Sequence, residues 1–204
     1  GFGSAAAQHL HIFESWFAFV PGLKVVAPSN PGDAKGLLKS AIRDNNPVLF
    51  FEHRQCYQMQ GEVPEDCEYI IPLGKADIKR EGTDITLVSY SNMINMALQS
   101  AEVLERDGIS AEIIDLRTIK PMDTETIINS VKKTNRVLCI QETWLTCGVA
   151  GEVAAVIADK AFDYLDAPIK RLGSLDCPVP FAPGLEAFVL PNADKIVKAV
   201  KDMF

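Results

Sequence analysis

Short apolar runs alternate with amphipathic segments along this chain, and that alternation restricts the fold more than any other feature of the sequence. Residues 23–27 (LKVVA) and 47–52 (PVLFFE) have the length and composition of buried strands. Between them, residues 29–44 carry apolar side chains at helical spacing, and Ser29 or Asn30 is placed to cap the helix. The pattern predicts strand, helix, strand.

The same alternation returns after residue 80. The predicted strands are 84–91, 109–116, 136–142 and 168–174, and the predicted helices are 93–108, 124–135 (capped by Thr124), 151–165 and 193–204. Periodicity weakens over residues 58–80, where charges, prolines and glycine accumulate, which indicates a linker. We therefore expect an α/β protein in two parts, 1–57 and 81–204, each with a mostly parallel sheet covered by helices.

Composition removes several classes of function. The net charge of the 204 residues is −7, and basic residues form no run longer than a pair such as Lys132-Lys133, so nucleic acid is not an expected partner. The apolar runs are far shorter than the roughly 20 residues that span a bilayer, so no membrane segment is expected. Five cysteines form no CxxC pair, which argues against a disulfide framework and a structural zinc site and favours a reducing compartment.

Residues 5–11, AAAQHLH, hold two of the three histidines. On a strand, the spacing of His9 and His11 would place both imidazoles on one face, as a metal pair requires; alternatively one histidine works and the other is a bystander. The metal interpretation needs a third ligand, and His53 lies far along the sequence. A purely structural role for His9 also remains open.

In open α/β sheets, ligands bind beyond the carboxyl ends of strands, so the loops after Ser91, Leu116 and Glu142 are the places to look for function. Arg117 follows one of these strands and suits either a phosphate or carboxylate partner or a surface ion pair. Cys147 has no base nearby in sequence, and a buried thiol is the simpler expectation. Trp16 and Trp144 suit the core, a subunit contact or a ligand contact.

Several longer motifs resemble one family. The segment from AAAQHLHIFESWFAFVPGLKVVAPSNP to KGLLKSAIRDNNPVLFFEH, with PLGKADIKREGTDITLVSYS, AEIIDLRTIKPMD, KTNRVLCIQETW and CPVPFAPGLE, resembles the beta subunits of thiamine-diphosphate-dependent 2-oxo acid dehydrogenases. The resemblance implies part of a transketolase-like pyrimidine-binding domain followed by a transketolase C-terminal-type domain. It also implies that the chain starts partway through the first domain, and that a glutamate activating the cofactor lies upstream.

The resemblance implies decarboxylation of a 2-oxo acid and acyl transfer to lipoamide. Thiamine diphosphate and magnesium would be held mainly by a separate alpha subunit in an alpha2beta2 heterotetramer, and a lipoyl acyltransferase would dock on the complex. The QETW motif favours pyruvate, with branched-chain 2-oxo acids and acetoin as alternatives. A non-catalytic oligomerisation or docking module, or another thiamine enzyme, would share the fold. The implied compartment is the bacterial cytoplasm or the mitochondrial matrix.

The family pattern Gln-His-Ser-Gln falls on residues 8–11, so His9 matches the family's active-site histidine, while Leu10 and His11 depart from the pattern. Phe19 stands where the family usually carries a histidine. The segment SAIRDNNP resembles a loop that binds potassium in some members. The implied ligands are Ala41, Ile42, Asp44 and Asn46. The alternative is that Asp44 and Asn46 merely end the preceding helix.

Overall fold

A computed structural model describes residue 3 and residues 5–204. Within these residues the helices are α1 (Ala6–Leu10), α2 (Glu14–Phe19), α3 (Pro31–Arg43), α4 (Asn92–Arg106), α5 (Thr124–Thr134), α6 (Val149–Ala161), α7 (Pro183–Val189) and α8 (Ala193–Lys201). The strands are β1 (Lys24–Val26), β2 (Val48–Phe50), β3 (Asp77–Arg80), β4 (Ile85–Ser89), β5 (Ala111–Asp115), β6 (Thr118–Lys120), β7 (Val137–Trp144) and β8 (Lys170–Ser174).

The larger sheet has the strand order β3-β5-β4-β7-β8 and is parallel except for β3, which pairs antiparallel with β5. Every residue of β4 and β5 is buried, as expected for central parallel strands covered on both faces. Because side chains alternate along a strand, Val88 and Ile114 pack with α5 and α6, whereas Leu87 and Ile113 pack with α4 and α8. The two apolar layers fix this sheet in the middle of the second part.

The smaller sheet has the order β2-β1-β6. Its parallel pair, β1 and β2, is joined by α3, whose cap is Asn30: the side-chain oxygen accepts a hydrogen bond from the backbone N–H of Asp33 at 2.9 Å. Strand β6 comes from the second part of the chain and pairs antiparallel with β1. The second part therefore completes the sheet of the first.

The predicted α/β class is confirmed, and the strand–helix–strand order at residues 23–52 is found. The predicted cap of α5 is wrong, because the carboxylate of Asp123, rather than Thr124, accepts from the N–H of Thr126. Strand β3 lies inside residues 58–80, where the sequence indicates a linker. Neither β3 nor β6 shows a strand pattern of its own, since both are short and depend on partners distant in sequence.

An ionic junction holds the two parts together. The guanidinium of Arg117 donates to Asp33 at 2.7 Å and to Asp77 at 2.8 Å, and the Lys79 ammonium pairs with the same two carboxylates at 2.6 Å each. Burial raises the pKa of Asp33, but hydrogen bonds from Lys79 and Arg117 outweigh burial and leave that pKa below its usual value. The sequence leaves a phosphate or carboxylate ligand or a surface ion pair open for Arg117. The structure shows that its partners are two carboxylates of the same chain.

Two bulk properties complete the description. No helix in the described part of the chain combines the length and apolar character that a bilayer crossing requires. The thiols of Cys56, Cys67, Cys139, Cys147 and Cys177 are all free.

Candidate functional site

The exposed side chain of His9 lies in the last turn of α1, and His11 follows the end of that helix. The strand on which the metal-pair interpretation depends is not found, because residues 6–10 form a helix and His11 lies just beyond it in extended conformation. Both imidazoles nevertheless border one cavity of about 160 Å³. Its wall also contains Glu14, Phe51, Glu52, His53, Arg54 and Ser91.

Helix α1 packs against the second part of the chain. Leu10 is buried in a small apolar cluster with Val179 and Leu190. Next to it, the backbone N–H of Gly3 donates to the Glu186 carboxylate at 3.0 Å. The family pattern has a serine where this chain has Leu10. The apolar surroundings explain why a leucine suits the position, because its side chain is removed from water there.

His11 is held by aromatic rings. Its imidazole lies edge-on to Trp144, with ring centroids 5.0 Å apart, and edge-on to Phe13 at 6.1 Å. Trp144 is itself fixed, because its indole N–H donates to the carbonyl of Cys177 at 2.8 Å. His11 Nε2 is buried and has no hydrogen-bond partner among the described residues. The contacts of His11 are therefore those of a packing residue.

A buried hydrogen-bonded pair, His53 and Glu142, lies beside the cavity. His53, which follows β2, places Nε2 at 2.9 Å from Oε2 of Glu142 in β7, and both side chains are more than nine-tenths buried. The backbone N–H of Gln55 donates to Nδ1 of His53 at 3.2 Å. Since Nδ1 accepts, the proton of neutral His53 belongs on Nε2, from which it is donated to Glu142. Burial raises the pKa of Glu142, the bond from His53 is the largest of the influences that lower it, and the pKa lies below its usual value.

Glu14, the first residue of α2, is the second buried carboxyl of the site, with 4% of its surface exposed. Burial, assisted by the negative charge of Glu142, raises the pKa of Glu14 to about 7. Its Oε2 atom and the buried hydroxyl of Tyr90 have no hydrogen-bond partner among the residues that the structure describes. Sequence reasoning did not find Glu14, which reads there as one polar residue in the apolar segment IFESWFAFV.

Three histidines and a carboxyl with a near-neutral pKa thus meet at one cavity, an arrangement suited to donating and accepting protons. His53 lines the same cavity as the two N-terminal histidines, although it lies far from them in sequence. However, both of its ring nitrogens are engaged, by Glu142 and Gln55. Among the residues that the structure describes, no three or more His, Cys, Asp or Glu side chains are placed so that they could hold one metal ion.

The residues predicted to bind potassium lie together at the end of α3. One oxygen of Asp44 accepts from the backbone and side-chain nitrogens of Asn46 at 2.8 and 3.0 Å, and the other pairs with the Lys24 ammonium. The carbonyl of Ala41 accepts from the N–H of Asp44. The bond from Lys24 lowers the pKa of Asp44 to about 2. These contacts end a helix, and potassium at this place stays a prediction.

Other candidates lie away from the histidines. Cys147 is exposed rather than buried and has a positive φ of 54°. It borders an apolar groove of about 680 Å³ together with Phe19, Pro121 and Met122. Phe19 and Trp16 are exposed, so neither belongs to the core.

Comparisons with known proteins agree with this architecture. Residues 1–60 match the pyrimidine-binding domain of transketolase, and residues 74–196 match the transketolase C-terminal domain. A solved structure described as a split-gene transketolase, inactive beta4 tetramer, superposes with a TM-score of 0.79 at 25% identity, over 97% of this chain and 62% of that one.

Curated relatives are more similar. The beta subunit of acetoin:2,6-dichlorophenolindophenol oxidoreductase from Bacillus subtilis is 52% identical over 98% of this chain and 58% of the relative. The 2-oxoisovalerate dehydrogenase beta subunit of the same organism is 50% identical over 97% and 61%. The mitochondrial pyruvate dehydrogenase E1 beta subunit of Dictyostelium discoideum is 46% identical over 97% and 56%. The chain thus spans less than two thirds of the length of these relatives.

The fold and the two domain matches define a transketolase-type α/β protein, with a pyrimidine-binding region followed by a C-terminal domain. Within that class, the chain belongs to the transketolase family and groups with the beta subunits of 2-oxo acid dehydrogenases and of the related acetoin enzyme. The resemblance noted from the motifs is confirmed.

Proposed function

We propose that this chain is part of the catalytic beta subunit of a 2-oxo acid dehydrogenase, with pyruvate as the favoured substrate. The observation that carries the proposal is the position of His9, which borders a cavity next to buried Glu14 and the His53–Glu142 pair. The relatives named above support the reaction class, since they include pyruvate, branched-chain and acetoin enzymes. The QETW motif remains the argument for pyruvate.

His9 is the proposed catalytic residue. An exposed imidazole at the rim of a cavity can pass a proton to a bound substrate, either by donating to an oxygen that gains negative charge or by delivering a proton to a dithiolane sulfur. The neighbouring groups suit this role, because His53 is fixed as a donor to Glu142 and His11 is packed against Trp144. Of the three histidines that line this cavity, His9 is therefore the one that we assign to proton transfer.

Thiamine diphosphate with magnesium is the proposed cofactor. When bound, it supplies the thiazolium carbon that carries the acyl group. The lining of the cavity fits the heterocyclic end of such a cofactor, since it combines apolar side chains with imidazole and carboxyl groups, and Arg54 is the lysine- or arginine-type cation at its wall. A diphosphate with its metal needs more positive charge and oxygen ligands than these residues offer, which agrees with an alpha subunit holding that end.

The proposed partners are this alpha subunit, in an alpha2beta2 heterotetramer, and a lipoyl acyltransferase. The compartment that goes with the proposal is the bacterial cytoplasm or the mitochondrial matrix. The pyruvate dehydrogenase relative from Dictyostelium discoideum is a mitochondrial protein by name.

The deciding experiment is single-turnover acylation of a lipoyl domain by the full-length beta subunit reconstituted with its alpha subunit. Pyruvate, 3-methyl-2-oxobutanoate and acetoin are compared for the wild type, His9→Ala and His11→Gln. Loss of a general acid or base costs roughly 10²–10⁴-fold, so we expect a loss of that order for His9→Ala and a small effect for His11→Gln. Absence of acyl transfer by the wild type from all three substrates would instead favour an oligomerisation or docking module of the same fold.

Potassium binding at Ala41, Ile42, Asp44 and Asn46 is a second part of the proposal. Carbonyl oxygens at a helix end and one carboxylate suit a monovalent cation, which would take the place of the Lys24 ammonium on Asp44. The thermal midpoint of the reconstituted complex should be higher in KCl than in NaCl of equal ionic strength, and Asp44→Asn should remove the difference. Equal midpoints in the two salts would reject the site.

A further inference from the structure

Glu14 presents a buried carboxyl oxygen that the described protein does not satisfy. The side chain is 4% exposed and lines the same cavity as His9, and Oε2 has no hydrogen-bond partner among the described residues. A carboxylate oxygen buried in this way has lost its water without gaining a donor. A protonated carboxyl costs less to bury, because it carries no charge, and its O–H then needs an acceptor.

The neighbouring carboxyl shows the opposite arrangement. Glu142 receives the Nε2–H of His53 at 2.9 Å, a bond that stabilises its charged form. Two carboxyl groups that influence each other inside a protein rarely both ionise, and the one with the donor keeps the charge. The proton of this pair therefore belongs on Glu14.

The groups packed around Glu14 agree with this assignment. Tyr90, which follows β4, contributes a buried hydroxyl that stays neutral, because burial and the charge of Glu142 raise its pKa. The other titratable groups around the cavity come from α1 and its end and from the segment after β2: His9, His11, Glu52, His53 and Arg54. Of these, Glu52 is engaged by the Tyr57 hydroxyl at 2.9 Å, and His53 by Glu142.

We propose that Glu14 is a further hydrogen-bond donor of the site: its carboxyl is protonated, and rotation of the side chain brings Oε2–H from its buried position at the wall to the cavity, where it holds an oxygen of the bound 2-oxo acid beside His9. No bond is made or broken by Glu14 in this role. The identity of the acceptor rests on the proposed function, whereas the placement of the proton rests on the chain alone. Deprotonation of Glu14 removes the donor and places a second negative charge beside Glu142, so the site weakens as the pH rises.

Substitution by glutamine separates this role from a structural one. The amide of Glu14→Gln keeps an N–H donor and has no charge at any pH, so it imitates the protonated carboxyl. In the reconstituted full-length enzyme, we expect Glu14→Gln to keep acyl transfer from pyruvate within about threefold of the wild type at pH 6 and to lose the decline near pH 7. Glu14→Ala should lose at least about tenfold at every pH. Glu102→Gln, at an exposed carboxyl on α4, is the matched control and should keep the wild-type profile.

A second readout does not depend on activity. Infrared spectra of the full-length beta subunit, labelled with ¹³C at glutamate carboxyls, should show a protonated C=O band at pH 6 that titrates near pH 7 and is missing from Glu14→Gln. If the wild type fails to transfer acyl groups, the proposed function fails, while this band still supports the placement of the proton. Absence of the band at pH 6, or a Glu14→Gln enzyme as impaired as Glu14→Ala with an unchanged pH profile, overturns the inference.

Discussion

The indole of Trp144 lies edge-on to the imidazole of His11, with ring centroids 5.0 Å apart and planes at 67°. This contact joins the last residue of β7 to the segment that carries His9. Leu10, the neighbouring departure from the family pattern, is buried against Val179 and Leu190. The second part of the chain thus provides a complementary surface for both altered residues, and the position of His9 depends on it.

Replacement of Trp144 should therefore weaken the packing of α1 and His11 against the second part of the chain. Trp144→Ala removes the aromatic contact and the indole N–H bond to Cys177, and we expect a loss of about 2–4 kcal/mol in the free energy of unfolding. Trp144→Phe keeps a ring against His11 and should lose about 1 kcal/mol, the value of a hydrogen bond. Urea denaturation of the full-length beta subunit measures both, and equal losses for the two variants would contradict the role assigned to the ring.

The His53–Glu142 pair should show strong coupling. Removing one partner of a buried pair costs about 3–5 kcal/mol, so His53→Ala should destabilise the protein by roughly that amount. A double-mutant cycle with Glu142→Gln should give a coupling free energy of about 1–3 kcal/mol. The exposed pair of Lys170 and Asp202 is the control, with an expected coupling below about 1 kcal/mol. Similar coupling in the two pairs would show that burial of the first contributes nothing.

The ionic junction between the two parts should be sensitive to Asp33. Asp33→Asn removes the carboxylate shared by Arg117 and Lys79 and leaves both cations to Asp77, and the expected loss is about 3 kcal/mol. Glu68→Gln, which breaks an exposed ion pair with Arg43, should cost less than about 1 kcal/mol. Thermal unfolding at low and high salt tests the distinction. The stability lost in Asp33→Asn should be similar at low and high salt, because salt screens buried charges poorly.

Much of the fold is predictable from sequence because it depends on local patterns. The central strands β4 and β5 are buried on both faces and appear as continuous apolar runs, and the cap and proline of α3 mark its start. Strand β6 is different, since its three residues become a strand only by pairing with β1. Asp123 was missed as the cap of α5 because Thr124 next to it is an equally good capping residue by type.

The candidate site was predictable in part. The family pattern points to His9, but the surroundings of His9 come from segments far apart in sequence. His53 follows β2 and Glu142 lies in β7, so their contact joins segments of two different sheets. Glu14 is buried in the folded protein, and a single glutamate in an apolar segment carries no sign of that burial.

The stability of the protein should report the proton on Glu14. Its pKa is about 7 in the folded protein and 4.5 in the reference state, so the folded protein binds more protons between these values. The contribution of Glu14 is therefore fully present below about pH 4.5 and is lost as the pH rises through about 7. Because 1 pKa unit corresponds to about 1.4 kcal/mol, the loss is at most about 3.5 kcal/mol.

Urea denaturation of the wild type and Glu14→Gln at pH 5 and pH 8 isolates this contribution. Asp115, whose burial raises its pKa to about 6 against the bonds from Ser29 and Arg117, changes stability in the same direction, but it is present in both proteins and cancels. The wild type should therefore lose stability relative to Glu14→Gln between pH 5 and pH 8. A difference between the two proteins that stays constant over this range would mean that Glu14 is charged throughout, and both the stability prediction and the donor role would fall together.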